Sequence, residues 1–390
     1  MSYNYTYTFP ALKGVQAGRE YYVAMCPLKL LPRIFIFDEA SLPPQLRAQR
    51  SLNTARIPDI ARYVLNNQRD YAFSAITASV DGDVRFEPAD TGDGTSDLGR
   101  LVISMSARFL INDGQHRRAA IEEVLKERPE LGDETISVVF YLDADLRRSQ
   151  QLFADLNQHA VRPTKSIGLL YDLRDPLANL TRNLVEKVTY FKGLTDLEKT
   201  TISNRSRKLF TLSGIHTATC TLLGKSEKEA ATAVVADERL AVRFWTTLGR
   251  QIPEWQSAVK HKVSSAELRK EYIHVHAVTL HALGIAGNAL LKQYPKEWEK
   301  RLSLLRRVDW SRGNSKTWEG RAMIRSHMSK ARQNVQLTAN LLKKVLGVSL
   351  SPDEARLEAR HQTIESNTTR SNKRAFGKTS DRGRRPFANK

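Results

Sequence analysis

LINDGQHRRAAIEEVL, residues 110–125, changes character twice. An apolar run stops at Asn112-Asp113-Gly114, the polar quintet DGQHR follows from Asp113 to Arg117, and an amphipathic run begins. This pattern predicts a strand that hands over to a helix. A glycine at such a junction lets the backbone turn tightly and approach a ligand. The first turn of the helix offers N–H groups without intrahelical acceptors and a partial positive charge, which together suit an anion. His116, Arg117 and Arg118 fall in that turn and oppose the helix dipole, an arrangement that a bound phosphate would offset. Asp113 can serve as N-cap, as a magnesium ligand through water, or as the partner of the arginines. The competing reading is a capped surface helix with an Asp–Arg pair, and spacing alone leaves both open.

Working outward, the same alternation continues. Tyr21–Met25 and Ile34–Phe37 have the aromatic and β-branched content of strands, and ARIPDIARYVLNN spaces Ile57, Ile60, Tyr63 and Val64 as one face of a helix. YAFSAITASV, RLVISMS and ISVVFYLDA read as strands, with DGDVRFEPADTGDGTSDLG as a turn-rich loop between the first two. DLRRSQQLFADLNQHA reads as a helix. The expected class is α+β: an α/β domain over residues 1–165, a mostly helical domain over 166–350, where apolar residues recur at three and four, and a flexible basic tail over 351–390. The end of that tail, residues 367–390, holds eight basic residues and one acid, with few large apolar groups.

The chain of 390 residues is 41% apolar, enough for more than one core. It has no run of about 18 apolar residues, so no membrane span is expected, and its N-terminus lacks the features of a secretory signal. Cys26 and Cys220 are its only cysteines, far apart, which fits a reducing cytoplasm and argues against a zinc ribbon or iron–sulfur cluster. The net charge of +19 is unevenly spread: residues 1–180 carry 21 Lys/Arg against 23 Asp/Glu, and residues 181–390 carry 40 against 19. A second half with such an excess is expected to face a polyanion, above all nucleic acid.

INDGQHRRAA resembles the signature of the DGQHR-domain proteins, relatives of the ParB/sulfiredoxin-like nucleotide-binding fold. RIPDIARYVLNN, FSAITASV, LVIS and LFADLNQHAVRPTKS follow in the order of that fold's boxes, and SNRSRKLFTLSGIHTA resembles a stretch typical of the DndB family, associated with DNA phosphorothioation. The resemblance covers most of residues 1–345. It implies a repressor of DNA sulfur-modification genes that binds promoter DNA. It also implies phosphate contacts, from ATP or CTP with Mg2+, at Gly114, Gln115, His116, Arg117 and Arg118, with Asn157 and Gln158 close by. Sulfiredoxins place their reactive cysteine where this chain has Gln115, so sulfinic-acid reduction is not expected.

In the basic half, Arg205, Arg207 and Lys208 stand among Ser, Thr and Asn, a mixture suited to phosphate contacts. Ser213 is expected to cap a helix starting at Gly214. Further on, Arg306, Arg307, Arg312, Lys316, Arg321 and Arg325 are candidates for DNA contact, interleaved with Trp310 and Trp318, which read as anchors of a loop to the core. His274, His276 and His281 have poor ligand spacing and no acid placed with them, so a buried set is expected rather than a metal site. Gly284 and Gly287 mark close helix packing. Duplex DNA, and other modification proteins, are the expected partners, and a reader of an inverted repeat is expected to be a homodimer. The enzymatic alternative is an NTPase or DNA nickase with Asp113, His116 and Arg117 as catalytic candidates, although the chain has no Walker-type loop. A third reading is a scaffold for modification enzymes, tethered to DNA by its tail.

Overall fold

A computed structural model describes residues 5–35, 54–89, 96–143, 148–158, 163–203, 205–225 and 235–363. The chain divides into two compact units, residues 1–161 and 162–390. The architecture is mixed α+β, as expected, with the sheet in the first unit and most helices in the second.

The first unit is built on a seven-stranded sheet. Its strands are β1 (Thr6–Gln16), β2 (Arg19–Pro27), β3 (Ile76–Asp81), β4 (Val84–Pro88), β5 (Leu98–Ser104), β6 (Arg108–Asp113) and β7 (Thr135–Leu142), in the order β4-β5-β1-β2-β7-β3-β6. Within this sheet, among the described residues, only β3 and β7 run parallel; every other pair is antiparallel. Among its helices are α1 (Leu31–Ile34), α2 (Ile57–Asn66), α3 (Gln115–Glu127) and α4 (Ser149–Gln158). Ile76, Ala78 and Val80 of β3 are buried with Val138 and Phe140 of β7 beside them, while Ala61 and Val64 of α2 pack on Ala120 and Val124 of α3. β6 therefore runs along the sheet edge and delivers its last residue, Asp113, to the start of α3.

Three local expectations are corrected here. Ile34 ends a helical turn that Pro32 opens, instead of starting a strand; residues 36–37 lie outside the described residues. The turn-rich loop contains β4, which finds its place only by pairing with β5. The first residues, read only for the lack of a signal, form β1 between β2 and β5, a pairing across about ninety residues that local pattern cannot announce.

The second unit contains α5 (Lys165–Tyr171), α6 (Pro176–Lys187), α7 (Leu212–Leu223), α8 (Val235–Gly249), α9 (Pro253–Val259), α10 (Ser265–Glu271), α11 (Ala277–Gln293), α12 (Trp298–Leu302), α13 (Ser315–Trp318) and α14 (Arg332–Leu346). A last helix, α15, spans 352–363. α11 is buried along most of its circumference, including Leu280, Leu283, Ala286 and Leu290, as a central helix must be. It packs against α7 and α14. Gly284 makes the first of these pairings possible: a Cβ there would lie 2.2 Å from the Ala218 carbonyl oxygen. The two glycines of α11 are packing residues, as their spacing suggested. Trp310 and Trp318 are buried and stacked at 5.7 Å, and Trp318 Nε1 donates to the Asp309 carbonyl, so both anchor the loop as read from sequence.

Two further expectations change in this unit. Thr211, not Ser213, caps α7, its hydroxyl accepting from Gly214 N–H at 3.1 Å. The stretch 351–390 is not a tail throughout, because α15 forms over 352–363 and buries Glu358 and His361. Residues 364–390, the strongly basic part, lie outside the described residues. No helix among the described residues is long and apolar enough to cross a membrane.

Candidate functional site

The strand-to-helix turn forms as the sequence predicts. Gly114 is the N-cap of α3 with φ +108°, a conformation that L side chains rarely adopt, and a Cβ there would meet Ile76 Cγ1 at 2.9 Å. Asn112, just before it, is fully buried and donates to Ser79 Oγ at 2.8 Å, which ties β6 to β3. Asp113 takes the third of its possible roles and accepts from Arg117 Nη2 at 2.6 Å. Arg117 Nη1 also donates to the carbonyls of Ser74 and Ala75, at 2.7 and 2.9 Å, and to the Ser74 hydroxyl. Arg118 donates to Glu122 at 2.5 Å and to the Pro32 carbonyl at 3.2 Å. These acceptors offset the repulsion between the two arginines and the helix dipole within the unit itself. Ser74, Ala75 and Pro32 carry no signal in the sequence, because a carbonyl acceptor is common to every residue.

The remaining groups of the motif are less engaged. Gln115 Oε1 and Arg118 Nε are buried and have no hydrogen-bond partner among the described residues. Partial burial, and next the charge of Arg56, lower the His116 pKa against the pull of Asp113, which favours a neutral imidazole at physiological pH. Asn157 and Gln158 end α4, and their side chains lie outside the described residues. The turn can thus present an anion with a helix N-terminus, but its two arginines would have to exchange existing partners to reach one.

The basic candidates of the second unit separate into two groups. Arg321 is 8% exposed and binds Glu358 with both terminal nitrogens, one of them also donating to the Leu337 carbonyl at 2.8 Å. It holds α15 against the unit and does not face solvent, which removes it from the candidates for DNA contact. Arg312 is tied to the carbonyls of Arg269, Lys270 and Ser326, and Lys208 to that of Gly193. By contrast, Arg205, Arg207, Arg306, Arg307, Lys316 and Arg325 are exposed, and none forms an ion pair among the described residues.

Arg269, which sequence reading passed over, organises part of this surface. It is 4% exposed, and its guanidinium donates to the carbonyls of Ser203, Ser206 and Lys208. Its own carbonyl accepts from His276 Nε2 at 2.9 Å and from Arg312 at 3.3 Å. The loop bearing Arg205 and Arg207 and the turn bearing Arg325 and Ser326 are thereby stapled to the same point. Only the run SAELRKE marks Arg269, and there it looks like any helix-surface arginine.

The histidines are embedded. Trp255 Nε1 donates to His274 Nδ1 at 3.1 Å, and Glu254 lies 3.4 Å from its Nε2. Burial lowers the pKa of His274 and of His281, and it lowers that of His276 to about 4. No group of three or more His, Cys, Asp or Glu placed to hold a metal ion occurs among the described residues.

A mixed sheet ending in an arginine-bearing strand-to-helix turn, and a helical unit whose basic loops gather at a buried arginine, define a two-unit α+β protein with its positive charge on the helical part. The profile of a family described as DndB, DNA-sulfur modification-associated, matches residues 9–349 and so spans both units. The chain belongs to this DndB family. It matches no curated protein and no solved structure.

Proposed function

We propose that this protein is a DNA-binding regulator, a repressor of the sulfur-modification genes with which its family is associated, and that the helical unit makes the DNA contact. One observation carries the reading: Arg205, Arg207, Arg306, Arg307, Lys316 and Arg325 are exposed and lack carboxylate partners among the described residues, and two of the loops that bear them converge on Arg269. Cations left without acids on a protein surface repel one another unless a polyanion joins them. The sheet unit, in this reading of ParB/sulfiredoxin-like descent, acts as the sensor. ATP or CTP with Mg2+ at Gly114–Arg118 would draw Arg117 from Ser74 and Ala75. The protein works in the cytoplasm, as a homodimer if its operator is an inverted repeat.

The test is binding to the DNA upstream of its own gene and to scrambled DNA across a salt series. The expected result is a preference for the upstream DNA and a steep salt slope. Replacing Arg205, Arg207 and Arg325 by Gln is expected to reduce that slope by roughly 0.9 for each phosphate no longer neutralised. Equal, weak binding to both DNAs, unaltered by the substitutions, would overturn the reading.

A further inference from the structure

The sheet of the first unit is covered unevenly. Both faces of β3 are buried. In β1, β2 and β7 burial alternates, with Phe9, Ala11, Tyr22, Ala24, Val138 and Phe140 turned into the core and the residues between them turned outward. A solvated face of an antiparallel sheet is normally polar. Here the outward positions from Thr8 to Gly14, from Tyr21 to Met25 and from Ser137 to Tyr141 include no charged residue, in a chain that is 26% charged. Leu98, Leu12, Val23 and Val139 stand in register as an apolar row across four strands, β5, β1, β2 and β7. Leu98 and Leu12 are 52% and 53% exposed, and Met25 beside them is 46% exposed.

The face is also level and rimmed by charge. The Tyr21 ring fills the space over Gly14, where a Cβ would meet it at 2.6 Å, and stacks on Tyr141 at 5.8 Å between ring centres. The Tyr141 hydroxyl donates to Gln16 Oε1 at 3.0 Å, so the pair is held along the sheet. Charges begin only at the β4–β5 side, where Glu87 lies 3.3 Å from Arg85 and 3.2 Å from Arg100. An uncharged centre with tyrosine and methionine inside a charged rim is the anatomy of a protein–protein interface.

We propose that this outer face is where a second copy of the chain docks, sheet against sheet about a two-fold axis. Size and charge favour that occupant. Four strands span roughly 20 Å and run for roughly 25 Å, on the order of 500 Å² in projection before side-chain relief is counted. A single helix, about 10 Å wide, would cover half of it. The same face of a second copy matches it across its whole width and brings the buried surface toward the roughly 800 Å² per partner of a standard interface. Residues 1–180 are nearly neutral, with 21 Lys/Arg against 23 Asp/Glu, whereas residues 181–390 carry 40 against 19. Two copies that met through the second half would repel each other, and an uncharged face on the neutral part avoids this. The interface is independent of the DNA-binding reading, and the test contains no DNA, so each can fail alone.

The experiment is sedimentation equilibrium of the full chain, repeated at low and high salt. A dimer is expected that high salt does not dissociate, because its centre is apolar. Leu12→Lys and Met25→Glu each place a charge on the face and are expected to weaken dimerisation at least roughly tenfold. Both side chains are about half exposed in one copy, so circular dichroism should show the fold retained. Val15→Glu is the control: Val15 is 66% exposed but turned to the opposite side of β1, and its change should leave the dimer intact. A monomer at the highest soluble concentration, or a dimer that neither Leu12→Lys nor Met25→Glu weakens, would overturn the proposal. So would equal weakening by all three changes.

Discussion

Arg321 and Arg205 are indistinguishable as letters in a basic stretch, yet they have opposite roles. Arg321 is buried against Glu358, whose carboxylate is also 3.0 Å from Lys344. Burial works to raise the Glu358 pKa, but these two cations prevail and hold it below the usual carboxylate range. Removing one partner of such a pair leaves a buried charge uncompensated, so Arg321→Met is expected to cost about 3–5 kcal/mol of stability. Arg205→Gln, on an exposed loop, should change stability by less than about 0.5 kcal/mol. Urea unfolding of the two variants checks this. Similar midpoints would mean that Arg321 is not buried as described. At the quintet the same lesson holds in weaker form. The residues that engage Arg117 and Arg118 include carbonyls of Ser74, Ala75 and Pro32, more than forty positions away for the serine and alanine. A sequence shows which side chains carry charge and is silent on which carbonyls will meet them.

At the level of elements, periodicity was a good guide wherever one face is buried. α2 and α3 are amphipathic and form where their spacing places them, and β3, β5, β6 and β7 coincide with apolar runs. β1 and β4 escaped notice because their patterns are half exposed and interrupted by polar residues. Their place depends on partners distant in sequence. α15 escaped because its composition is polar and charged, with acids and bases mixed; its few buried side chains, Glu358 and His361 among them, suffice to hold it in place. The packing of α7 on α11 gives a sharp test. Gly284→Ala would drive a methyl group against the Ala218 carbonyl, whose backbone is fixed within α7. The expected destabilisation is at least about 1–3 kcal/mol, read as a fall in melting temperature. An unchanged melting temperature would show that the two helices can move apart without penalty.

At the level of the whole molecule, the distribution of charge and the burial of histidines set the response to pH. His276 has a folded-state pKa of about 4 against an ordinary 6.5, caused first by burial and then opposed by its bond to the Arg269 carbonyl, with Arg312 and Arg269 adding to the depression. His274 and His281 shift the same way, through burial, with Glu254 opposing it at the first and Lys165 reinforcing it at the second. The unfolded chain takes up these protons near pH 6.5 and the folded chain does not. Stability is therefore fully present above about pH 6.5 and declines as pH falls toward 4, with His276 alone contributing on the order of 3 kcal/mol. Urea midpoints measured from pH 7.5 to 5 should fall steadily, and His276→Gln should flatten the curve over that range. A flat profile in the native protein would mean that these histidines titrate normally.

The sequence by itself determined the alternation of sheet and helix, the change to a helical second half, the charge asymmetry and the strand-to-helix turn at Gly114. All of these follow from local periodicity, composition or a backbone conformation that favours glycine. The order of side chains also carried the DndB resemblance that the family match bears out. The tertiary structure alone decided which strands neighbour β1, which arginines are buried, which carbonyls engage Arg117, and that Arg269 sits between two basic loops. Those outcomes depend on pairing between residues tens of positions apart and on the exclusion of water around them, and no window of the sequence contains either.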